Sequence, residues 1–319
     1  MNNTILVTGA AGFIGFYLSK SLLDDGFSVV GVDNLNDYYD INLKKERLAQ
    51  IGNYENFIFK EVDISNRNKI KEVFLKFKPF KVINLAAQAG VRYSIENPYA
   101  YLDSNLVGFL NIIELCRHNN VEGLIYASSS SVYGSNTKIP FDVGDKTDNP
   151  ISLYAATKKS NELIASTYSH LYGLNTTGLR FFTVYGPWGR PDMAYYIFTT
   201  NIINKKAISV FNNGKMKRDF TYIDDIISGL RAAIDKNYKC EIFNLGNNKS
   251  ENLMNFINLI ESELKIKAEI KFKPMQPGDV KETYAEISKS TSMLSYKPTI
   301  SIEDGVKKFI VWYKEYYKL

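Results

Sequence analysis

The sequence predicts a doubly wound, parallel α/β sheet followed by a smaller C-terminal α/β lobe. Three observations carry that expectation. Short β-branched runs alternate with amphipathic stretches as far as Phe182. The turn Gly9-Ala-Ala-Gly12-Phe-Ile-Gly15 joins the first run to the first amphipathic stretch. Beyond Phe182 the alternation gives way to loops marked by Gly and Pro, beginning with Gly186-Pro-Trp-Gly-Arg-Pro191.

The elements follow in order. Residues 4–8, Thr-Ile-Leu-Val-Thr, read as a buried parallel strand. Phe13, Ile14, Leu18, Leu22 and Leu23 recur at helical spacing until Gly26, and Ser28-Val-Val-Gly-Val32 is a second strand closing on Asp33. A helix over 41–50, a strand near 57–62, a helix over 66–77 and the strand Lys81-Val-Ile-Asn-Leu85 continue the pattern. One long helix is expected around 97–118, then the strand Gly123-Leu-Ile-Tyr-Ala127, a helix over about 152–172 and a strand over 176–182. Segments 206–211, 241–245 and 268–272 look like isolated strands between helices. Ser301 with Asp304 opens a last helix whose stripe is Val306, Phe309, Ile310 and Tyr313. Residues 1–182 are expected to form one domain and residues 183–319 mainly the second lobe, with some elements returning to the first sheet.

Composition narrows the function classes. The 319 residues suggest two domains at roughly 150 residues each, and 45% hydrophobic against 23% charged residues excludes a disordered chain. No apolar run reaches the ~20 residues of a membrane span. No basic, apolar, small-residue leader pattern follows Met1. Two cysteines, Cys116 and Cys240, and two histidines, His118 and His170, lack metal-ligand spacing, so no metal is expected. The net charge of +5 comes from lysines scattered along the chain, not from a basic run, which argues against nucleic acid and membrane partners and allows an anionic substrate. A cytoplasmic protein is the expectation.

The glycine turn sits where a dinucleotide loop of a Rossmann-type sheet belongs. A helix N-terminus presents N–H groups and partial positive charge to a pyrophosphate, and glycines let the backbone approach it. Asp33, 18 residues after Gly15, ends the second strand, where a carboxylate accepts both adenosine ribose hydroxyls. Its charge repels a 2′-phosphate, and Asn34-Leu35-Asn36 offers no cation to hold one, so NAD is favoured over NADP. Asp63 either bonds the adenine amino group or caps its own loop.

Tyr154 and Lys158 are four residues apart on one helix face. An ammonium beside a phenol should lower the phenol pKa toward neutrality, so that it takes a proton from a sugar hydroxyl as hydride leaves the same carbon. Tyr-x-x-x-Lys alone is common on helix surfaces. Here the serine cluster Ser128–Ser131 ends the preceding strand at the carboxyl edge, where open α/β sheets bind ligands.

Together these residues resemble the extended short-chain dehydrogenase/reductase family of nucleotide-sugar enzymes. Longer segments narrow the likeness to its UDP-glucuronate 4-epimerases: Asp33-Asn-Leu-Asn-Asp-Tyr-Tyr39, Leu85-Ala-Ala-Gln-Ala-Gly-Val-Arg-Tyr93, Ser128-Ser-Ser-Ser-Val-Tyr-Gly134, Phe181-Phe-Thr-Val-Tyr-Gly-Pro-Trp-Gly-Arg190, Arg218-Asp-Phe-Thr-Tyr-Ile-Asp-Asp225 and Met275-Gln-Pro-Gly-Asp279. The resemblance implies NAD-dependent C4 epimerisation of UDP-glucuronate to UDP-galacturonate through a 4-keto sugar. The alternatives are another UDP-sugar (UDP-glucose or a UDP-N-acetylhexosaminuronate) or uronate decarboxylation.

The resemblance also implies site residues. Tyr154, Lys158 and Ser129 would be catalytic. Gly9, Gly12, Phe13, Ile14, Gly15, Asp33, Asn34, Asp63, Ile64, Leu85, Ala86 and Ala87, with Tyr154 and Lys158, would hold NAD. A 4-keto uronate is a β-keto acid and loses carbon dioxide when its carboxylate aligns with the carbonyl, so an epimerase must restrain that carboxylate. Ser129, Ser130, Ser131 and Thr183 supply hydroxyls, and Arg190 would pair with the carboxylate or a phosphate. Related decarboxylases and dehydratases carry acids where this chain has Ser130 and Ser131. Arg218 would meet the phosphates unless it pairs with Asp219, and Arg92, Gln276 and Asp279 complete the substrate side. Gln276 stands where relatives acting on UDP-glucose usually carry Arg. Asn105 is either near the active site or a structural bond within its helix. Trp188 and Tyr195–Tyr196 are read as packing and loop order. A homodimer through helices 100–118 and 154–172, and a role in surface polysaccharide synthesis, are family-level expectations.

Overall fold

A computed structural model describes residues 3–276 and 278–319. Six strands come first in the chain: β1 (Thr4–Thr8), β2 (Ser28–Asp33), β3 (Phe57–Glu61), β4 (Lys81–Asn84), β5 (Gly123–Ser129) and β6 (Thr176–Phe181). Then come β7 (Thr183–Tyr185), β8 (Ile208–Val210), β9 (Lys217–Arg218), β10 (Phe220–Tyr222), β11 (Cys240–Leu245), β12 (Glu251–Asn252) and β13 (Ile270–Phe272). The helices of the first half are α1 (Phe13–Asp24), α2 (Ile41–Ile51), α3 (Arg67–Phe77), α4 (Tyr93–Glu96), α5 (Pro98–Tyr101), α6 (Phe109–His118) and α7 (Leu153–Tyr172). Those of the second are α8 (Ala194–Ile203), α9 (Ile223–Lys236), α10 (Leu253–Leu264), α11 (Ser288–Leu294) and α12 (Ile302–Tyr317).

A parallel sheet of seven strands, in the order β11-β6-β5-β4-β1-β2-β3, forms the frame. Its pattern is explained by burial on both faces. Ile5, Val7, Ile83 and Ile125 face one apolar cluster, while the alternating Leu6, Val82, Leu124 and Tyr126 face the other. The strand order reverses between β1 and β4, and the carboxyl ends on either side of that switch open a crevice. The fold is the doubly wound α/β class that the alternation predicts.

Two expectations change. The segments 206–211, 241–245 and 268–272 are not isolated: β8 and β13 pair with each other in parallel, and β11 pairs in parallel with β6, from Cys240 opposite Thr176 to Leu245 opposite Phe181. Its backbone edge is satisfied by β6, a long-range pairing that strand length alone cannot reveal. The helix expected over 97–118 is also interrupted, because a π-helical stretch over Leu102–Gly108 separates α5 from α6. Buried Asn105 lies in that stretch. Its Nδ2 donates to Gln88 O (3.0 Å) and Thr157 Oγ1 (3.0 Å), and its Oδ1 accepts from Gln88 N (2.9 Å). The widened turn thus serves a bond between elements, clamping the loop after β4.

Outside the seven-stranded sheet, the later part of the chain rests on aromatic packing and three short strand pairs: β10 with β7, β12 with β9, and β13 with β8. Phe220 stacks on Phe256 at 4.2 Å, and Tyr195 meets Phe309 edge-on at 4.9 Å. Ser301 Oγ caps α12 by accepting from Asp304 N (3.1 Å), as the capping pattern suggests. Ser152 caps α7 by the same kind of bond to Ala155 N (3.1 Å). Among the described residues no helix is long and apolar enough to cross a membrane.

Candidate active site

The crevice at the carboxyl edge of the sheet is a cavity of about 910 Å³ that runs from the glycine turn to the second lobe. Every residue assigned above to the cofactor or substrate lines it, Gln276 excepted. Gln276 lies outside, its Oε1 buried without a partner among the described residues. Its neighbour Pro277, in the same motif, falls outside the described residues.

At one end the site is built from backbone. Gly9 adopts φ +73°, and a Cβ there would stand 2.8 Å from Ala86 N. A Cβ on Gly15 would stand 2.0 Å from Gly9 O, so the turn closes on the first helical residues with no room for a side chain. No side chain caps α1 at Gly12, which leaves its first N–H groups free for an anion. Asp33 Oδ2 accepts from Ala11 N (3.1 Å) and Oδ1 from Leu35 N (2.9 Å), which fixes the carboxylate at the end of β2. Burial pushes its pKa up, against the pull of these bonds and of Lys44 and Arg47. Asp63 does cap its loop, accepting from Ser65 N (2.8 Å) and Ser65 Oγ (2.6 Å), and its other oxygen accepts from Asn34 Nδ2 (2.8 Å). The uncapped helix, the closed glycine turn and the fixed carboxylate fit a dinucleotide.

At the middle lie the phenol, the ammonium and the serines. Lys158, buried on α7, donates to Ala127 O (3.0 Å), and its Nζ is 6.0 Å from the centre of the Tyr154 ring. Here the expected tuning is corrected. Burial raises the Tyr154 pKa, opposed by a hydrogen bond with Ser129 and by the charge of Arg190. Lys158 is itself desolvated, its ammonium directed to the Ala127 carbonyl and its pKa pulled down to about 8. Ser129 Oγ donates to Ser131 Oγ (3.1 Å) and accepts from Ser131 N (3.1 Å), which orders the serine loop.

The far end is built from side chains. Arg190 is not a free cation: it pairs through two nitrogens with Asp192, one contact being Nε to Oδ1 at 3.0 Å. Tyr38 Oη donates to Asp192 Oδ2 (3.1 Å). Burial works against the Asp192 carboxylate, yet the charge and hydrogen bonds of Arg190 hold its pKa below the usual value. Arg92, lying over the Phe211 ring at 4.9 Å, reaches Asp279 at 3.4 Å. Arg218 does not pair with Asp219. Its Nη1 donates to Lys217 O (2.9 Å) and Lys281 O (3.3 Å). The Asp219 carboxylate is wholly buried and accepts from Thr221 Oγ1, Asn247 N, Asn248 N and Ala285 N. Thr183 sits alongside, its N–H donating to Asp219 O (3.1 Å).

Several participants escaped the sequence reading. Asp192 stands two residues after Arg190, a spacing that could have signalled a pair. Glu162 continues the series Tyr154, Lys158 by one more turn. It accepts from Ser128 Oγ (2.6 Å) and from Arg180 Nε and Nη2 (2.8 and 2.9 Å), holding the last part of β5 to α7. Lys44 also lines the cavity, its ammonium donating to Asn36 O (2.6 Å) and Asn36 Oδ1 (2.8 Å). Trp188 packs against Trp312 (5.3 Å) and Tyr316 (5.2 Å), in keeping with a packing role for its ring.

The doubly wound sheet, the uncapped phosphate turn and the tyrosine–lysine–serine set define a nucleotide-dependent sugar-modifying class, and residues 5–246 match the model of the NAD dependent epimerase/dehydratase family. The chain belongs to that family. Protein CapI of Staphylococcus aureus is 53% identical over 98% of this chain and 99% of its own. UDP-glucuronate 4-epimerase 4 of Arabidopsis thaliana is 49% identical over 98% of this chain and 76% of its own. The crystal structure of the UDP-glucuronic acid 4-epimerase of Bacillus cereus, in complex with UDP-glucuronic acid and NAD, superposes with a TM-score of 0.91 at 34% identity, covering 98% of this chain and 100% of that one.

Proposed function

We propose that the chain interconverts UDP-glucuronate and UDP-galacturonate, with NAD as its resident cofactor. One observation carries this reading: Tyr154, Lys158 and Ser129 line a single cavity that joins the glycine turn to the cations Arg92 and Arg218. NAD, held by the glycine turn and Asp33, would supply the acceptor and then the donor of hydride for C4 of the sugar. Tyr154 accepts the C4 hydroxyl proton as the carbon–oxygen bond becomes a carbonyl, and returns it on reduction. Ser129 holds the reacting oxygen and the phenol in register. Burial alone would keep the phenol protonated, so its proton transfer depends on Ser129 and on positive charge from Arg190. Lys158, fixed on the Ala127 carbonyl, lies where it can bond a cofactor ribose.

The hydroxyls of Ser130, Ser131 and Thr183, with the Arg190–Asp192 pair setting the charge beside them, hold the carboxylate of the 4-keto sugar away from alignment with the carbonyl. No acid stands among the serines to assist elimination. Arg218 and Arg92 take the diphosphate side, with Asp279 beside them. Residues 183–319 form mainly the sugar-binding lobe. A homodimer is supported by exposed apolar side chains on two neighbouring helical stretches: Leu102, Val107 and Leu110 on one, Leu163, Leu171 and Tyr172 on the other. Sedimentation of the purified protein tests that association. The same reading places the enzyme in the cytoplasm, supplying a uronate donor for polysaccharide.

Nuclear magnetic resonance of the products from UDP-glucuronate and, separately, UDP-glucose tests the reaction. Inversion at C4 in the first alone supports it. Carbon dioxide with a UDP-pentose as the main product would replace epimerisation by decarboxylation.

A further inference from the structure

Arg47 lines no part of the cavity and is wholly buried on α2, yet it joins the two halves of the site. Its Nη1 donates to Ala11 O (2.9 Å), within the glycine turn, and to Tyr39 Oη (2.8 Å). Its Nη2 donates to Trp188 O (2.7 Å) and Gly189 O (3.0 Å), and its Nε to Trp188 O (3.0 Å). All three guanidinium nitrogens are engaged, and three of the four acceptors are backbone carbonyls from segments about 177 residues apart (Ala11 against Trp188).

The second of those segments is the one that carries Arg190 and Asp192. Trp188 has φ +58°, a conformation seldom adopted by a residue with a side chain, and its carbonyl accepts two of the guanidinium bonds. The ring of Trp188 is held from the other side by Trp312 and Tyr316. The loop is thus pinned at its backbone by Arg47 and at its side chain by α12, one residue ahead of the Gly189–Arg190 step. A planar fork of fixed angles sets the distance between its acceptors in a way that a flexible ammonium does not.

We propose that Arg47 is a positioning residue that fixes the spacing between the NAD phosphate turn and the loop bearing Arg190, and so sets where the C4 of the sugar lies relative to the cofactor. The inference rests on the epimerase reading above and deepens it. Arg47 does not line the cavity. It acts through Ala11 on one side and through Trp188 and Gly189 on the other. Misplacement by about 1 Å costs on the order of 10²-fold in rate even when it originates away from the chemistry. The same displacement would loosen the hold on the carboxylate of the 4-keto sugar, since Arg190 follows the pinned loop.

The test uses the full-length chain with Arg47→Lys and Arg47→Met. Three quantities are measured: NAD released per chain on denaturation, kcat and KM for UDP-glucuronate, and the ratio of C4 epimer to UDP-pentose. The expected result for Arg47→Lys is a folded protein whose kcat falls between about 10- and 100-fold with KM within about threefold, whose pentose share rises, and which loses part of its NAD. Arg47→Met should be more severe in the same three respects. If Arg47→Met does not fold, Arg47→Lys alone decides, because it keeps the charge and the aliphatic stem but not the fork. Wild-type kcat, product ratio and NAD content in folded Arg47→Lys would overturn the proposal, as would a loss of activity accounted for by the unfolded fraction alone. A wild-type chain that leaves UDP-glucuronate unchanged defeats the epimerase reading instead, and the NAD content of the two variants still decides whether Arg47 holds the turn.

Discussion

The two ends of the cavity are made differently. The end at the glycine turn consists mainly of strand termini, a helix N-terminus and glycines, so its shape is set largely by main-chain geometry, above all within residues 4–33. The opposite end is assembled from side chains that arrive from the loop after β4, from β5, α7 and β7, and from the loops around residues 190, 218 and 279. Its charges also come partnered, Arg190 with Asp192 and Arg92 with Asp279. A site built of backbone tolerates change in most side chains but no added Cβ. A site built of paired side chains responds to each charge removed.

That contrast is sharpest in variants. Tyr154→Phe should cost the most, with kcat down about 10³-fold while NAD stays bound, since the proton acceptor is lost and the nucleotide end is untouched. Release of NAD from that variant would show that the ends are not separable. Gly15→Ala should do the reverse. Its Cβ would stand 2.0 Å from Gly9 O, so bound NAD should be lost together with about 2–3 kcal/mol of stability in urea unfolding.

Asp192→Asn should lower kcat about tenfold and raise the pentose share, because Arg190 loses the carboxylate that fixes its position beside Tyr154 and the serine loop. An unchanged product ratio would mean that the pair does not govern the carboxylate. Lys158→Met offers a test with a pH signature. Burial lowers the Lys158 pKa to about 8 from its ordinary 10.5, so the folded state binds that proton less well than the unfolded chain. The penalty is fully present below pH 8 and is relieved as pH rises from 8 to 10.5. The inactive variant should therefore melt a few degrees above the wild type at pH 7, with the difference shrinking above pH 9. The smallest effect is expected for Arg92→Ala. Its partly exposed pair with Asp279 is worth about 0–1 kcal/mol, so stability should hardly move, while KM for UDP-glucuronate rises a few-fold, most visibly at low salt.

Local patterning made much of this legible in the chain itself. The run 4–8, the turn Gly9–Gly15, Asp33 and the pair Tyr154 and Lys158 each depend on spacing within one βαβ unit or one helix, where strand and helix periods dictate direction. The π-helical interruption at Leu102–Gly108 was not legible, because it answers to Gln88 and Thr157. Nor was it legible which later element returns to the first sheet, since β11 needs the free edge of β6.

Residue types and intervals determined the class of fold, the cofactor turn and the chemical identity of the proton-transferring groups. Only the folded chain decided their electrostatics. Lys158 directs its ammonium to a carbonyl while burial raises the Tyr154 pKa, Arg190 already has a carboxylate, and Arg47 ties two loops that no interval in the sequence relates. The physical reason is range. Backbone geometry is set by neighbours in the chain, whereas the field at a buried group is set by whichever charges and dipoles folding brings within a few ångströms of it.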